Sequence, residues 1–160
     1  MKNIDLVSIN GTYPQEAVLA LRHCRKYFNF GRTVLFTHED LELDDIELIK
    51  IQKLNSIDEY NDFVLTLGNY LNNEYTLLVQ DDGYIINPNL WTDEFLKYDY
   101  IGAPWPGDWG WVQKSCGKEH YRGIIHRKLS TNRVGNGGFS LRSKKFLEYS
   151  FEFKYSEVWG

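Results

Sequence analysis

Two adjacent carboxylates, Asp81 and Asp82, follow an apolar run and precede Gly83. The run Thr76–Val79 has the composition of a strand covered on both faces, which is typical of parallel sheets, where ligands bind at the carboxyl ends of the strands. Neighbouring carboxylates repel each other, and partial burial raises the cost of both charges, so a site that keeps them usually holds a divalent cation. These residues therefore indicate a metal site at the end of a central strand.

The same residues also fit a plain polar turn. In that interpretation the Asp-Gly dipeptide only closes a hairpin between Leu77–Gln80 and Tyr84–Ile86, and the aspartate side chains cap backbone amides. The two adjacent acids by themselves do not decide between a metal site and a turn.

A glycine pair, Gly137 and Gly138, marks the second stretch whose residue types suggest chemistry. Glycine lets the backbone approach another group closely or take a positive φ. Phe139–Leu141 can then run as a strand into a helix. A tight structural bend is the alternative interpretation of the pair.

Strand and helix patterns alternate along the rest of the chain, which predicts right-handed crossovers and a largely parallel sheet. The predicted strands are Ile4–Asn10, Thr33–Thr37, Glu47–Lys53, Thr76–Gln80, Tyr100–Ala103 and Phe139–Leu141. The predicted helices are Gln15–Phe28 with Pro14 before it, Ser56–Leu71 with a Ser56–Glu59 capping box, a short helix capped near Asn89 or Thr92, and Ser143–Tyr149. A long loop to Asn132 has no clear elements, which is uncommon in a compact domain unless the loop is functional or mobile.

Composition narrows the class of protein. The chain has 160 residues, which suits one domain, and it is 42% hydrophobic and 16% aromatic, which argues for a packed core. A net charge of −4 disfavours nonspecific nucleic-acid binding. There is no run of about 18 apolar residues, so no transmembrane segment is expected. The two cysteines, in a chain without a secretory leader, are expected to be free thiols, which predicts a cytoplasmic protein. Acids concentrate between Glu39 and Asp62, which predicts a solvated face, whereas the basic stretch Gln113–Lys145 could complement a diphosphate.

Three blocks of the sequence resemble a family of uncharacterised, glycosyltransferase-like proteins with the GT-A fold, the fold of nucleotide-diphospho-sugar transferases. The blocks are Leu77–Ile85, Asp99–Pro106 and Val134–Ser143. The resemblance extends from about Ile4 to Tyr149. It implies that residues 1–160 form a single GT-A-like α/β domain with a central mixed, mostly parallel sheet flanked by helices.

The resemblance also implies a function. The protein would be a glycosyltransferase of the hexosyltransferase type, transferring a sugar from a nucleotide-diphosphate donor, a UDP- or GDP-sugar, to a glycan or protein acceptor. Asp81 and Asp82 would hold Mn²⁺ or Mg²⁺ across the diphosphate, with His126 as a candidate third metal ligand.

Further site residues follow from the same resemblance. The end of the first strand would receive the nucleoside and the glycine pair would border the donor sugar, so the donor-binding candidates are Ile9, Asn10, Gly11, Thr12, Asn136, Gly137 and Gly138. Residues 9–12 could instead only make the turn and cap the helix that follows. The substrate-binding candidates are Trp105, Trp109, Phe139 and Ser140, with packing as the alternative for each tryptophan.

The expected acceptor-activating base has one candidate, Glu157, near the end of the sequence. The segment in which the resemblance leads one to expect this acid has no clear counterpart, so the chain is expected to be a C-terminally truncated piece or a small domain that has lost the function. A non-catalytic module that binds a sugar nucleotide or glycan is therefore the second hypothesis. A metal-dependent phosphohydrolase is disfavoured, because the sequence offers too few His and Asp ligands for a two-metal site.

Overall fold

Six strands form one mixed sheet in the computed structural model, which describes residues 1–103 and 136–155. The strands of this described part are β1 Ile4–Ile9, β2 Thr33–Thr37, β3 Glu47–Lys50, β4 Tyr75–Leu78, β5 Tyr100–Ala103 and β6 Asn136–Ser143. The helices are α1 Pro14–Arg25, α2 Ile57–Leu65 and α3 Lys144–Tyr155, with 3-10 turns at Leu67–Asn69, Pro88–Leu90 and Asp93–Lys97.

The strand order is β3-β2-β1-β4-β6-β5. The first four of these strands run parallel to one another, and β6 lies antiparallel between β4 and β5. The predicted α/β class, with a mixed and mostly parallel sheet flanked by helices, is confirmed. The internal position of β4 is confirmed as well, because β1 and β6 cover its two edges. The GT-A resemblance goes beyond this architecture and stays a prediction.

Alternation along the strands creates two cores, one on each face of the sheet. On the first face, strand residues such as Leu6 and Leu77 pack with Leu21 of α1. On the second face, Leu78 packs with Val64 of α2 and Leu147 of α3. Burying one such side chain contributes roughly 1.5–3 kcal/mol. The continuous apolar composition of β4 thus reflects a strand that is buried on both faces, as its sequence predicts.

The largest difference from the predicted elements lies in the second helix, which was expected to continue to Leu71. In the structure α2 ends at Leu65, and the chain passes into the 3-10 turn Leu67–Asn69. The Thr66 hydroxyl donates a hydrogen bond to the carbonyl of Phe63 (2.7 Å). Such bonding back to the preceding turn bends a helix, and the glycine inside the turn weakens it further. Leu71 nevertheless keeps its predicted place in the core.

Other boundaries shift by a few residues without changing the type of element. α1 ends at Arg25 instead of Phe28, β3 ends at Lys50 instead of Lys53, β4 is offset toward Tyr75, β6 is longer than predicted at both ends, and α3 continues to Tyr155. The predicted short helix is two 3-10 turns, whose first residues are capped by the side chains of Asn87 and Thr92.

The predicted capping box of α2 is present in altered form. The Ser56 hydroxyl accepts a hydrogen bond from the Glu59 amide (3.1 Å), as the motif requires. The Glu59 carboxylate, however, accepts from the amide of Asn55 (2.6 Å), one residue before the cap. The helix therefore still begins where the sequence predicts.

The acidic stretch predicted as a solvated face carries ion pairs. Asp45 accepts hydrogen bonds from Arg22 and Arg25 of α1, and Glu47 pairs with Arg32. The Arg22 hydrogen bond and charge hold the pKa of the Asp45 carboxyl below its ordinary value. These pairs attach the connection before β3 to α1 and β2. No helix in the described ranges is both long and apolar enough to cross a membrane.

Candidate functional site

The two carboxylates form the tip of a tight turn at the carboxyl end of β4. The Gln80 amide donates to the carbonyl of Gly83 (2.9 Å), and the Gly83 amide donates to the carbonyl of Gln80 (3.2 Å). This reciprocal pair leaves Asp81 and Asp82 as a two-residue loop. The turn considered from the sequence is therefore present, but the hairpin between Leu77–Gln80 and Tyr84–Ile86 is not formed, since the bridge between Gln80 and Gly83 is isolated.

Backbone hydrogen bonds between Gln80 and Gly83 close this turn. Asp81 and Asp82 are both exposed. Within residues 1–103 and 136–155, neither carboxylate accepts a hydrogen bond or pairs with a cation. The capping role that the turn interpretation assigns to them is thus not seen in the part of the chain that the structure describes. Two acids without a partner among the described residues therefore lie at the carboxyl end of β4, where ligands of parallel sheets bind.

The donor set suits a hard divalent cation but is incomplete as a protein cage. No group of three His, Cys, Asp or Glu residues is placed to hold a metal ion within the described ranges. Mg²⁺ in particular is commonly bound by one or two carboxylates and completed by water and substrate phosphates. Asp81 and Asp82 fit that arrangement. A groove of about 360 Å³ beside them is also lined by Glu16, His23 and Tyr84.

The glycine-rich segment lies directly against the acidic turn. A Cβ built on Gly83 would lie 3.3 Å from the Cβ of Phe139 and 3.8 Å from the carbonyl oxygen of Gly138. Leu78, just before the turn, pairs in register with Ser140. Two blocks far apart in the sequence are thus brought to one edge of the sheet, through the antiparallel insertion of β6 beside β4.

A bulge shapes the start of β6. Gly102 pairs with Ser140, whereas the next residue, Ala103, pairs with Asn136, so the residues between fall out of the ladder. The Ser140 hydroxyl is buried and donates to the carbonyl of Gly137 (2.8 Å). Bulges of this kind recur beside active sites, where they redirect side chains. The hydroxyl proposed from the sequence as a substrate contact is engaged in this internal bond.

Arg142 is a site residue that sequence reasoning missed. Only 7% of it is exposed, and its Nε donates to the Ser140 hydroxyl (3.1 Å). Its guanidinium carbon lies 5.3 Å from the centre of the Tyr100 ring. Burial lowers the pKa of Arg142, and the nearby Tyr100 and Tyr60 oppose that shift. A charged residue two positions after Ser140, on the same face of a buried strand, was the available signal.

Tyr60 and Gln80, also missed from the sequence, connect the acidic turn with Arg142. The Gln80 side-chain amide donates to the Tyr60 hydroxyl (3.0 Å). Burial raises the pKa of Tyr60, the Gln80 hydrogen bond and the charge of Arg142 lower it, and the charge of Asp82 raises it. The Tyr60 hydroxyl is thus close enough to sense both the acid and the base of this region.

The end of β1 lies at the same edge, because β1 and β4 are parallel neighbours. Asn10 accepts hydrogen bonds from the amides of Thr12 (2.9 Å) and Tyr13 (2.7 Å), so its side chain shapes the turn into α1. Ile9 is buried in the second core. A Cβ added to Gly11 would make ordinary van der Waals contacts with Leu54 and His38 at 3.8–3.9 Å. The structural alternative therefore holds for Asn10, and Gly11 is partly exposed.

An apolar cavity of about 380 Å³ adjoins the acidic turn. Phe139 and Ser140 contribute to its wall, and Tyr84 lines both this cavity and the groove beside the carboxylates. Trp91 and Phe95 pack against each other on its wall. The predicted substrate-binding residue Phe139 thus borders an apolar space next to the acids.

Several predicted site residues lie outside the described part of the chain: Trp105, Trp109, His126 and Glu157. Asn136 is described only as the first residue of β6. Gly138 lies beside Gly83 of the acidic turn, as predicted, whereas the atoms nearest to Gly137 belong to Arg142 and Tyr100.

The structure is that of an α/β protein in which an acidic turn and a glycine-rich bulge lie at the carboxyl end of the central parallel strand β4. Residues 45–157 match the family DUF5672, which is described as a protein family of unknown function. The match spans most of the chain, and the protein belongs to this family. A comparison with curated proteins found no match. The resemblance to glycosyltransferase-like proteins accordingly stays a prediction.

Proposed function

We propose that the protein is a metal-dependent glycosyltransferase that uses a nucleotide-diphosphate sugar as donor. The observation that carries the proposal is the pair of exposed carboxylates, Asp81 and Asp82, which have no partner among the described residues and lie at the end of a central parallel strand. Such a pair costs free energy through like-charge repulsion unless a cation is shared between the two acids. The resemblance of the surrounding sequence supports a donor of this class.

The proposed roles follow from charge balance. Asp81 and Asp82 would hold Mn²⁺ or Mg²⁺. Such a cation would supply positive charge to offset the charge on the diphosphate leaving group. Gly83 and Gly138 let two backbones meet beside the acids, where side chains would narrow the space for a ligand.

The nucleoside is assigned to the end of β1, next to the acidic turn. Gly11 is the favoured contact because it is partly exposed and has no side chain to cover its backbone. His38, near Gly11, has a buried Nδ1 without a hydrogen-bond partner in the described structure. A base or ribose hydroxyl could supply that partner. The proposed location is the cytoplasm, on the cysteine argument made from the sequence.

A binding screen followed by a turnover assay tests this proposal. Melting temperatures are recorded with UDP, GDP and their sugars, each with Mn²⁺ and with EDTA, and any hit is incubated to measure release of the nucleoside diphosphate. A ligand at about 100 times its Kd stabilises by roughly 2.7 kcal/mol, a clear shift for a domain of this size. We expect metal-dependent stabilisation and slow donor hydrolysis. Binding without turnover supports the non-catalytic module, and no stabilisation by any nucleotide contradicts both the transferase and a module that binds a sugar nucleotide.

A further inference from the structure

Arg142 carries a charge into a place where arginine is seldom found. The residue is 7% exposed, and the groups beside its side chain in the described part of the chain are neutral: the Ser140 hydroxyl, the Tyr100 ring and the Gly137 backbone. In the ranges 1–103 and 136–155, no carboxylate forms an ion pair with it. A buried charge that lacks a counterion costs several kcal/mol, and one hydrogen bond with one ring contact offsets only part of this.

The side chain extends toward the candidate site. Arg142 pairs in register with Thr76, near the start of β4. Its Nη2, however, is 2.7 Å from the position that a Cβ on Gly137 would occupy. Because β6 is antiparallel to β4, Gly137 lies at the carboxyl edge of β4, on the side of the acidic turn. The side chain of Arg142 thus extends along β6 and places its charge beside Gly137.

The bulge at the start of β6 makes room for the guanidinium. Gly137 cannot carry a side chain without displacing Nη2, and the Ser140 hydroxyl fixes Nε while itself bonding to the Gly137 carbonyl. Among residues 1–103 and 136–155, only Nε of this guanidinium donates a hydrogen bond, so no described residue takes the donors of the two terminal nitrogens. A planar fork with free donors is the geometry that recognises phosphate oxygens bidentately.

We propose that Arg142 is an anion-binding residue that contacts a phosphate group of the ligand held at this edge. The proposal rests on the proposed function only for the identity of the ligand, a nucleotide diphosphate. The cation at Asp81 and Asp82 would neutralise one side of the diphosphate, and the arginine would neutralise the other.

The probe is inorganic pyrophosphate, titrated calorimetrically in EDTA and again with Mn²⁺, into the unaltered protein and into Arg142→Gln. We expect the substitution to weaken pyrophosphate binding by about tenfold or more in both buffers. Arg25→Gln is the matched control, because this substitution removes the same charge from the protein at a different place. Arg25 lines a separate basic groove with Arg22 and Arg32. Its pyrophosphate affinity should stay within about twofold.

Each outcome decides the proposal. Unchanged affinity in a folded Arg142→Gln variant, or an equal loss in Arg25→Gln, overturns it. If Arg142→Gln does not fold, Gly137→Ala decides, since its methyl group displaces Nη2 while keeping the charge: weaker binding supports the proposal and unchanged binding overturns it. Because the EDTA titration needs neither metal nor nucleotide, a failure of nucleotide-sugar binding is seen separately from a failure of the arginine site.

Discussion

Replacing Asp81 or Asp82 with Asn tests the metal site at the acidic turn most directly. The substitution keeps the size of the side chain and removes one charge. Since the turn is closed by backbone hydrogen bonds between Gln80 and Gly83, the fold should not depend on either carboxylate. The effect should therefore appear in ligand binding and not in folding.

The expected change in stability is small and positive. Two charges on the order of 6 Å apart repel by about 0.7 kcal/mol in water and by about 3 kcal/mol at the effective dielectric of a buried site. Asp81 and Asp82 are exposed, so the lower value applies. For a domain of this length, 1 kcal/mol corresponds to roughly 2–4 °C in melting temperature. Each single variant should melt at the same temperature as the unaltered protein or up to about 3 °C higher.

The expected change in binding is larger. A carboxylate that ligates the cation supplies charge that an amide cannot replace, so metal-dependent affinity for UDP or GDP should fall by at least about tenfold, or about 1.4 kcal/mol. Calorimetry with Mn²⁺ measures it, and the same titration in EDTA gives the metal-independent part. Asp44→Asn is the matched control, because Asp44 is also exposed but lies away from the acidic turn, just before the edge strand β3.

Two results would refute this reasoning. Unchanged nucleotide affinity in both Asn variants would contradict a metal site at Asp81 and Asp82, even if the nucleotide binds elsewhere. A drop in melting temperature of several degrees without ligand would mean that the carboxylates stabilise the turn, which the hydrogen-bond pattern of the described residues argues against.

Two further predictions concern stability. Asp45→Asn should destabilise the protein near neutral pH but progressively less as the pH falls below about 4. Because the folded state lowers the pKa of Asp45, its ionised carboxylate stabilises the protein at pH values above the ordinary pKa, and this contribution is lost when the carboxylate is protonated. Urea unfolding of both proteins at several pH values measures the difference in stability, and a difference that does not change with pH contradicts the prediction. Gly31→Ala should destabilise by roughly 1–3 kcal/mol, because its Cβ would lie 2.5 Å from the backbone oxygen of Lys2 and 2.3 Å from Asn73. Gly68→Ala is the control, since its Cβ would meet Leu147 at an ordinary 3.4 Å, and equal losses in both variants would count against the steric argument.

Local patterns were enough to predict most of the elements of the described part. The strands at Thr33–Thr37 and Tyr100–Ala103 match in both ends, and the Ser56 cap marks the start of α2. These features depend on neighbours within a few residues, which is why composition and spacing reveal them. The end of α2 was missed because the Thr66 hydroxyl bonds back to Phe63, a local contact that the apolar pattern does not reveal.

The sequence by itself determined that an apolar strand ends in two acids, and the Asp-Gly dipeptide there left a metal site and a turn as alternatives. Only the tertiary structure decided that, in the described part of the chain, the turn forms and the carboxylates of Asp81 and Asp82 do not cap it, since capping depends on distances that the dipeptide does not specify. Only the tertiary structure brought Gly138 beside Gly83, through the insertion of β6 next to β4. It also buried Arg142, because the burial of a charge depends on which strands and rings surround it, and those come from distant parts of the chain.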